Sequence, residues 1–313
     1  VRTVLKIVRI KPKSQFRIGG LKGFETTDEL IHSDTIFGAL TNAIAYLNLD
    51  VEDFISRVRE NEIKISSAMP YNNGIFFPPP LIIPIIEEQE RTKDFLKEYR
   101  KSYLSQKLFE KILSGETISA QDAKKELLKF SDAYKVTDVT SVTLDRERKL
   151  SNLYLFQTIY LKNDFELCIL LKTSDYAFKQ FLKPGFKLLA DEGLGGNRST
   201  GFGCFNLEFE DLELRISQKD SEVGVTLSLS IVDKDKMIAY DLVRRSGWIF
   251  SRTGKSVLKP LFFMLKEGSV IRRDEGKLID LDEFGNFSDT VGHKVYVYAK
   301  AYFVPMSEIY FGD

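Results

Sequence analysis

The sequence predicts an α+β fold in two unequal units, on three observations. Strand-like and helix-like segments are mixed without the regular alternation that a doubly wound parallel sheet requires. Apolar residues make up 43% of the chain and charged residues 29%, enough for a sizeable core and too apolar for global disorder. The 313 residues exceed one typical domain, and β-rich stretches lie near both ends.

Taken in order, Thr3–Ile10 is rich in Val, Ile and Leu and reads as a strand. After a glycine-containing loop, a helix starts at Ser33 or Asp34, either of which can cap it. Ile36, Phe37, Leu40, Ala43, Ile44 and Leu47 then recur at helical spacing. Asp50 caps a second helix, Val51–Arg59. Glu62–Met69 reads as a strand and Gly74–Pro84 as a proline-rich loop. From Glu87 to about Phe130 the chain is polar, charged and helical, with Phe95, Tyr99, Tyr103 and Phe109 near one apolar stripe. This is read as a helical insertion. VTSVTL and LYLFQTIYL then form a long hairpin over about 139–160 with a charged tip, and FELCILL is a further strand. Ser174–Leu189 holds a helix interrupted near Pro184 and Gly185. A glycine-rich loop runs from Gly193 to Gly203, followed by a strand. The first unit spans 1–211. The second, 212–313, opens on a strand at Val223–Val232 and closes on the β-rich VYVYAKAYFVPM, so the two halves are compatible with a duplicated fold.

Charge narrows the function. Basic and acidic residues balance at 45 each, which by itself argues against a nucleic-acid coat. Their distribution argues otherwise. Val1–Phe24 carries seven basic residues, including Arg17, and no acid; Leu242–Lys266 carries six, including Arg252 and Lys255, again with no acid. Separated blocks of this kind can build one basic face on a neutral molecule. Cys168 and Cys204 make neither a disulfide framework nor a metal-ligand spacing, which suits a cytoplasmic protein. No apolar run is long enough to span a bilayer, and the N-terminus lacks the apolar centre of a signal peptide. His32, His293 and the cysteines are scattered, so no metal and no cofactor is expected. RTGKS at Arg252–Ser256 resembles the end of a P-loop, but Ile249 stands where its first glycine belongs.

The segment with the most chemistry is GLGGNRSTGFGCF, Gly193–Phe205. Glycines let a backbone approach a ligand, and exposed N–H groups can cradle a phosphate with Arg198, Ser199 and Thr200 as further donors. The plain alternative is a tight helix-to-strand turn. At IHSDTIFGAL the start of the helix could favour phosphate, or Ser33 and Asp34 could simply cap it. His32 there could act as a general base, although no neighbouring motif supplies a partner. Arg146, Arg148 and Lys149 at the hairpin tip, with Tyr154 and Phe156 on its second arm, fit either phosphate and base contacts or an exposed charged turn. Trp248, Phe250, Phe262 and Phe263 lie among the second basic window, with Phe262 and Phe263 read as core.

The pairing of HSDTIFGAL with GLGGNRSTGFGCF resembles the RAMP superfamily of CRISPR proteins, whose G-loop the second segment is similar to. With VTLDRE at Val142–Glu147 and GHKVYVYAKAYFVP at Gly292–Pro305, the order and spacing resemble the fourth-subunit family of the type III-A effector complex. That resemblance implies two ferredoxin-like, RRM-related domains with a protruding thumb hairpin. It implies a non-enzymatic subunit that binds the repeat-derived 5′ tag of the crRNA. Its partners would be the large polymerase/cyclase subunit and the adjacent RAMP backbone subunit, with target RNA nearby. The candidate RNA contacts are Gly193, Gly195, Gly196, Asn197, Arg198, Ser199, Thr200 and Gly201 of the loop, His32 and Ser33 at the helix start, Arg17, Arg146 and Arg148 near the thumb, and Arg252 and Lys255. The competing reading is a metal-independent endoribonuclease that processes precursor crRNA through His32.

Overall fold

The computed structural model describes residues 3–19, 25–87, 90, 92–145, 150–162, 164–211 and 220–311. The first unit runs β1 (Thr3–Pro12), α1 (Ser33–Tyr46), α2 (Val51–Arg59), β2 (Lys64–Ile65) and β3 (Met69–Tyr71). The insertion follows, as β4 (Phe76–Phe77), α3 (Lys93–Arg100), β5 (Ser102–Ser105), α4 (Gln106–Ser114), α5 (Ala120–Lys125) and β6 (Leu127–Lys129). A short α6 (Phe130–Ala133) leads into the hairpin β7 (Tyr134–Asp145) and β8 (Leu150–Leu161). Then come β9 (Glu166–Ser174), α7 (Asp175–Ala177), a π-helical turn (Phe178–Leu182), α8 (Lys183–Glu192) and β10 (Phe205–Asp211).

The main sheet has the order β10-β1-β9-β2, with β3 also on β9, and every pair is antiparallel. Because β1 alternates, Val8 and Ile10 join Ile169 and Leu171 on one face, packed under Phe37, Leu40, Phe54, Leu182 and Phe186 of the helices. Ile7, Cys168 and Leu170 point the other way. They pack into a second core with Phe77, Phe95 and Phe109 of the insertion and with Val225 and Val304 of the C-terminal unit. A strand covered on both faces needs no polar alternation, which explains the unbroken run FELCILL.

The C-terminal unit comprises β11 (Val223–Thr226), β12 (Met237–Ala239), β13 (Leu242–Arg245), β14 (Trp248–Ile249), β15 (Val257–Leu258), β16 (Phe262–Leu265), β17 (Val270–Arg272), β18 (Gly276–Asp280), α9 (Phe287–Val291), β19 (Tyr296–Lys300) and β20 (Phe303–Pro305). Its largest sheet is ordered β12-β17-β11-β20, also antiparallel. Numbered by rank along the chain, both sheets read 4-1-3-2. The second lacks the covering helices of the first: between β11 and β12 there is only a 3₁₀ turn at Lys234–Lys236.

Several expectations are corrected. The α1 N-cap is His32 without a side-chain cap bond, because the Ser33 and Asp34 side chains are engaged elsewhere. The insertion is not all helical: Lys101 ends α3, and Tyr103 sits on β5, paired with β6. Pro184 does not interrupt the helix. The π turn routes the Lys183 N–H back to the Phe178 carbonyl, so the helical path continues into α8 with proline in its first turn. VYVYAKAYFVPM is two strands in different sheets, β19 and β20. Val223–Val232 is strand only as far as Thr226. Asp50 caps α2 as expected, accepting from the Asp53 N–H at 3.0 Å.

Candidate nucleic-acid interface

The glycine-rich loop leaves α8 at Gly193 and is fastened to the segment that follows β1. The Gly196 N–H donates to the Arg17 carbonyl (2.7 Å), the Gly203 N–H to the Gln15 carbonyl (2.9 Å) and the Leu194 N–H to the Gly203 carbonyl (3.0 Å). Three glycines are obligatory. Gly193, at φ +87°, would place a Cβ 2.6 Å from the Phe202 carbonyl oxygen. Gly195, at φ +100°, would place a Cβ 2.5 Å from the Arg17 carbonyl oxygen; Gly203, at φ +77°, would place one 2.1 Å from that of Leu194. These glycines fold the loop against its own protein, so most of its amides are consumed internally. This corrects the expectation that the whole run cradles phosphate. What the loop offers outward is its tip. Asn197 takes a left-handed conformation (φ +59°), and Arg198, Ser199 and Thr200 form an exposed 3₁₀ turn, with Thr200 Oγ1 donating to the Asn197 carbonyl at 2.8 Å. The N–H groups of Arg198 and Ser199 have no acceptor among the described residues.

Arg17 joins the loop to the hairpin. Its Nη1 donates to Asn197 Oδ1 at 2.6 Å, and its guanidinium lies 4.4 Å from the centroid of the Phe156 ring on β8. Phe156 meets Phe202 of the loop edge-on at 6.0 Å and stacks on Tyr154 at 6.0 Å. Phe16 exchanges two backbone hydrogen bonds with Ile159, at 2.8 and 2.9 Å, which fixes the root of β8 to the same segment. Arg17 is therefore a buried brace whose pKa is lowered by burial, and its role as a direct phosphate contact is withdrawn. Exposed cations flank the loop instead. Lys11 pairs in register with Asn206, and the Lys13 N–H donates to the Cys204 carbonyl at 2.9 Å. Elsewhere on β1 the basic residues are neutralised: Lys6 binds Asp211, and Arg9 binds Glu166, Glu208 and Glu210. Phe202 and Lys13 were not among the candidate contacts. Lys13 stood in the acid-free window, but nothing in its own neighbourhood tied it to the loop.

His32 and Ser33 are not at this surface. Both are buried. His32 Nδ1 lies 2.8 Å from Glu267 Oε1, and Glu267 also accepts from Ser67 Oγ. Ser33 donates its N–H to Ser67 Oγ (2.9 Å), and its own Oγ accepts from the Leu229 N–H (3.1 Å). Burial works to raise the Glu267 carboxyl, but the His32 ring and the hydrogen bonds from His32 and Ser67 outweigh it, leaving its pKa below the usual range. Beside it, Arg245 grips Asp34 through Nε and Nη2, both at 3.0 Å, and Asp28 through Nη1 at 2.6 Å. The start of α1 is thus a polar joint between the two units, and direct RNA contact by His32 and Ser33 is withdrawn. Arg252 and Lys255 are exposed on the turn between β14 and β15, and no hydrogen bond, ion pair or ring contact among the described residues links them to the loop. Arg146 and Arg148 lie outside the described residues.

A family model described as the RAMP superfamily matches residues 9–206, and one described as the CRISPR Csm4 C-terminal domain matches 219–306. The chain belongs to the RAMP superfamily, and its C-terminal part is similar to the CRISPR Csm4 C-terminal domain. A Csm4 protein of a CRISPR system in Thermococcus onnurineus is 29% identical over 302 residues, 93% of each chain. One in Streptococcus thermophilus is 28% identical over 263 residues, covering 80% of this chain and 83% of its own. Among solved structures, a Csm1-Csm4 cassette in complex with cA4 contains a chain that superposes with a TM-score of 0.66 at 24% identity, covering 98% of both chains. A Csm3-Csm4 subcomplex of the type III-A interference complex contains one with a TM-score of 0.62 at 21% identity, covering 96% of this chain and 99% of that one. These two likenesses concern the fold. Among the described residues no helix is long and apolar enough to cross a membrane.

Proposed function

We propose that this protein is the RNA-binding structural subunit of a type III-A CRISPR effector complex, holding the repeat-derived 5′ tag of the crRNA. The observation that carries the reading is the junction of the exposed Arg198–Thr200 tip, by way of Asn197, with the root of the β7–β8 hairpin, through Arg17, Phe156 and Phe202. We read both units as ferredoxin-like, supported by their shared 4-1-3-2 strand order, and the hairpin as the thumb, supported by its forming a separate two-stranded sheet. The mechanism is positional. Amides and side chains at the tip, with Lys11 and Lys13, hold tag phosphates, while unstacked bases are read along their edges and faces. Membership in the complex, beside a Csm1-type large subunit and a Csm3-type backbone subunit, is supported by the composition of the solved complexes whose chains this fold resembles. We read the protein as cytoplasmic and non-catalytic; the pairing of buried His32 with Glu267 supports the second point, since a general base must reach its proton.

The test is incubation of the purified chain with tag-containing RNA. Arg198→Ala with Thr200→Ala is expected to abolish the gel shift. Arg198→Ala alone is expected to flatten the dependence of log K on log salt by about 0.7 for one lost single-strand phosphate contact. Binding untouched by both substitutions would sink the tag-holding role. Metal-independent cleavage of the same RNA, lost in His32→Ala, would replace it with the nuclease reading.

A further inference from the structure

Strands β13 and β16 pair antiparallel from Leu242 opposite Leu265 to Arg245 opposite Phe262, and β14 and β15 follow with Trp248 opposite Leu258 and Ile249 opposite Val257, the register shifted by one residue between the two pairs. The inner side of this ribbon is packed: Arg245, Ile249 and Met264 are buried. Its outer side is open. Trp248 is 67% exposed, Phe263 58%, and Leu242 and Leu258 51% each, with Phe250 at the turn also exposed. Cross-strand register sets Trp248 beside Leu258 and Arg244 beside Phe263, so apolar groups and a guanidinium alternate along one strip. The reading of Phe263 as core is thereby corrected. Phe262 is half-buried, edge-on to Phe284 at 5.6 Å. Leaving large apolar side chains in water forgoes the free energy of burying them, and contiguous patches of this kind mark interaction sites. Arg244, Arg252 and Lys255 are exposed along the ribbon and its turn, with no ion-pair partner among the described residues.

We propose that this face docks a different protein subunit, one presenting an apolar groove rimmed by carboxylates. Trp, Phe and Arg are the usual anchors of protein interfaces. Base stacking uses aromatic faces and has no use for Leu242 and Leu258, so a protein groove fits the strip better than an RNA strand. The unpaired cations require acidic groups opposite. A second copy of this chain cannot supply them at a two-fold interface, which sets one cationic patch against another. The inference rests on the reading of the protein as a complex subunit and adds which face performs the assembly.

Trp248 is the one tryptophan of the chain, so 5-fluorotryptophan labelling puts a single ¹⁹F resonance on the strip. The Csm1-type subunit, the Csm3-type subunit and a tag-containing RNA are added separately to the labelled full chain. The resonance is expected to move with one of the two proteins and to stay put with RNA. Trp248→Ala combined with Phe263→Ala is expected to weaken that protein pair at least about thirtyfold, as is Arg244→Glu, with the RNA gel shift unchanged. If the wild type binds neither subunit, the subunit reading falls and takes this proposal with it. If it binds a subunit while the resonance is unmoved and the substituted chains bind equally, the docking face alone is wrong. Movement only with RNA, or only with the chain's own concentration, overturns the proposal in favour of a nucleic-acid strip or self-association.

Discussion

Asp34 shows how one side chain can be misread from its neighbours in sequence. Beside Ser33 at a helix start it looks like a cap; in the folded chain it is buried and clamped by Arg245, 211 positions away. Burial works to raise its carboxyl, and Arg245 and Lys259 more than offset this, so its pKa lies below the ordinary aspartate value. A carboxyl depressed in the folded state contributes stability that is complete above its unfolded pKa, about 3.9, and is lost as pH falls through the lower folded value. Asp34→Asn strips a buried guanidinium of its main partner, a change worth about 3–5 kcal/mol in comparable pairs. Urea unfolding is therefore expected to show a deficit of that order, constant between about pH 5 and 8 and shrinking below about pH 4, where the carboxyl of the unfolded wild type takes up a proton that the folded carboxyl accepts only at lower pH. A deficit that does not vary in acid would show that Arg245 does not depend on the Asp34 charge.

The glycine-rich loop is legible as an element from its composition alone, because five glycines in thirteen residues exclude a regular helix or strand. Which glycines matter was not legible, because that depends on what lies against them. Gly203 has the Leu194 carbonyl where a Cβ would go, and backbone cannot move aside; Gly201, at φ +86°, faces open space. Gly203→Ala is expected to lower the melting temperature clearly and to weaken RNA binding by distorting the tip. Gly201→Ala should cost only the left-handed penalty of about 1–2 kcal/mol. Equal effects in thermal denaturation would mean that the loop does not hold this geometry. The hairpin behaves similarly. Alternation announced its arms, but the seating of Phe156 between Arg17 and Phe202 comes from contacts across 139 and 46 positions of sequence.

Across the whole molecule the two units are not separable bodies. The second core mixes Phe77, Phe95 and Phe109 of the insertion with Val223, Val225 and Val304 of the C-terminal unit. Tyr298 on β19 reaches into the first unit, where its hydroxyl accepts from the Ile65 N–H at 2.8 Å, and Tyr310 donates to the Ile112 carbonyl at 2.6 Å. The ion-pair joint at the start of α1 spans the same boundary. Calorimetry on the full chain is expected to show one cooperative transition, with the van't Hoff and calorimetric enthalpies equal. Two resolved transitions would mean that the shared core contributes little.

Local chemistry settled a good deal in advance. The α+β class, the strands of the main sheet, the Asp50 cap, the hairpin and the glycine loop all follow from patterns spanning a few residues, because backbone propensity and apolar period act at that range. Burial and charge pairing did not. His32, Ser33 and Arg17 looked available and are enclosed, whereas Phe263 looked enclosed and is open. Their environments are made by segments 34 to 235 positions distant, and solvent access is a property of packed surfaces that no short window contains.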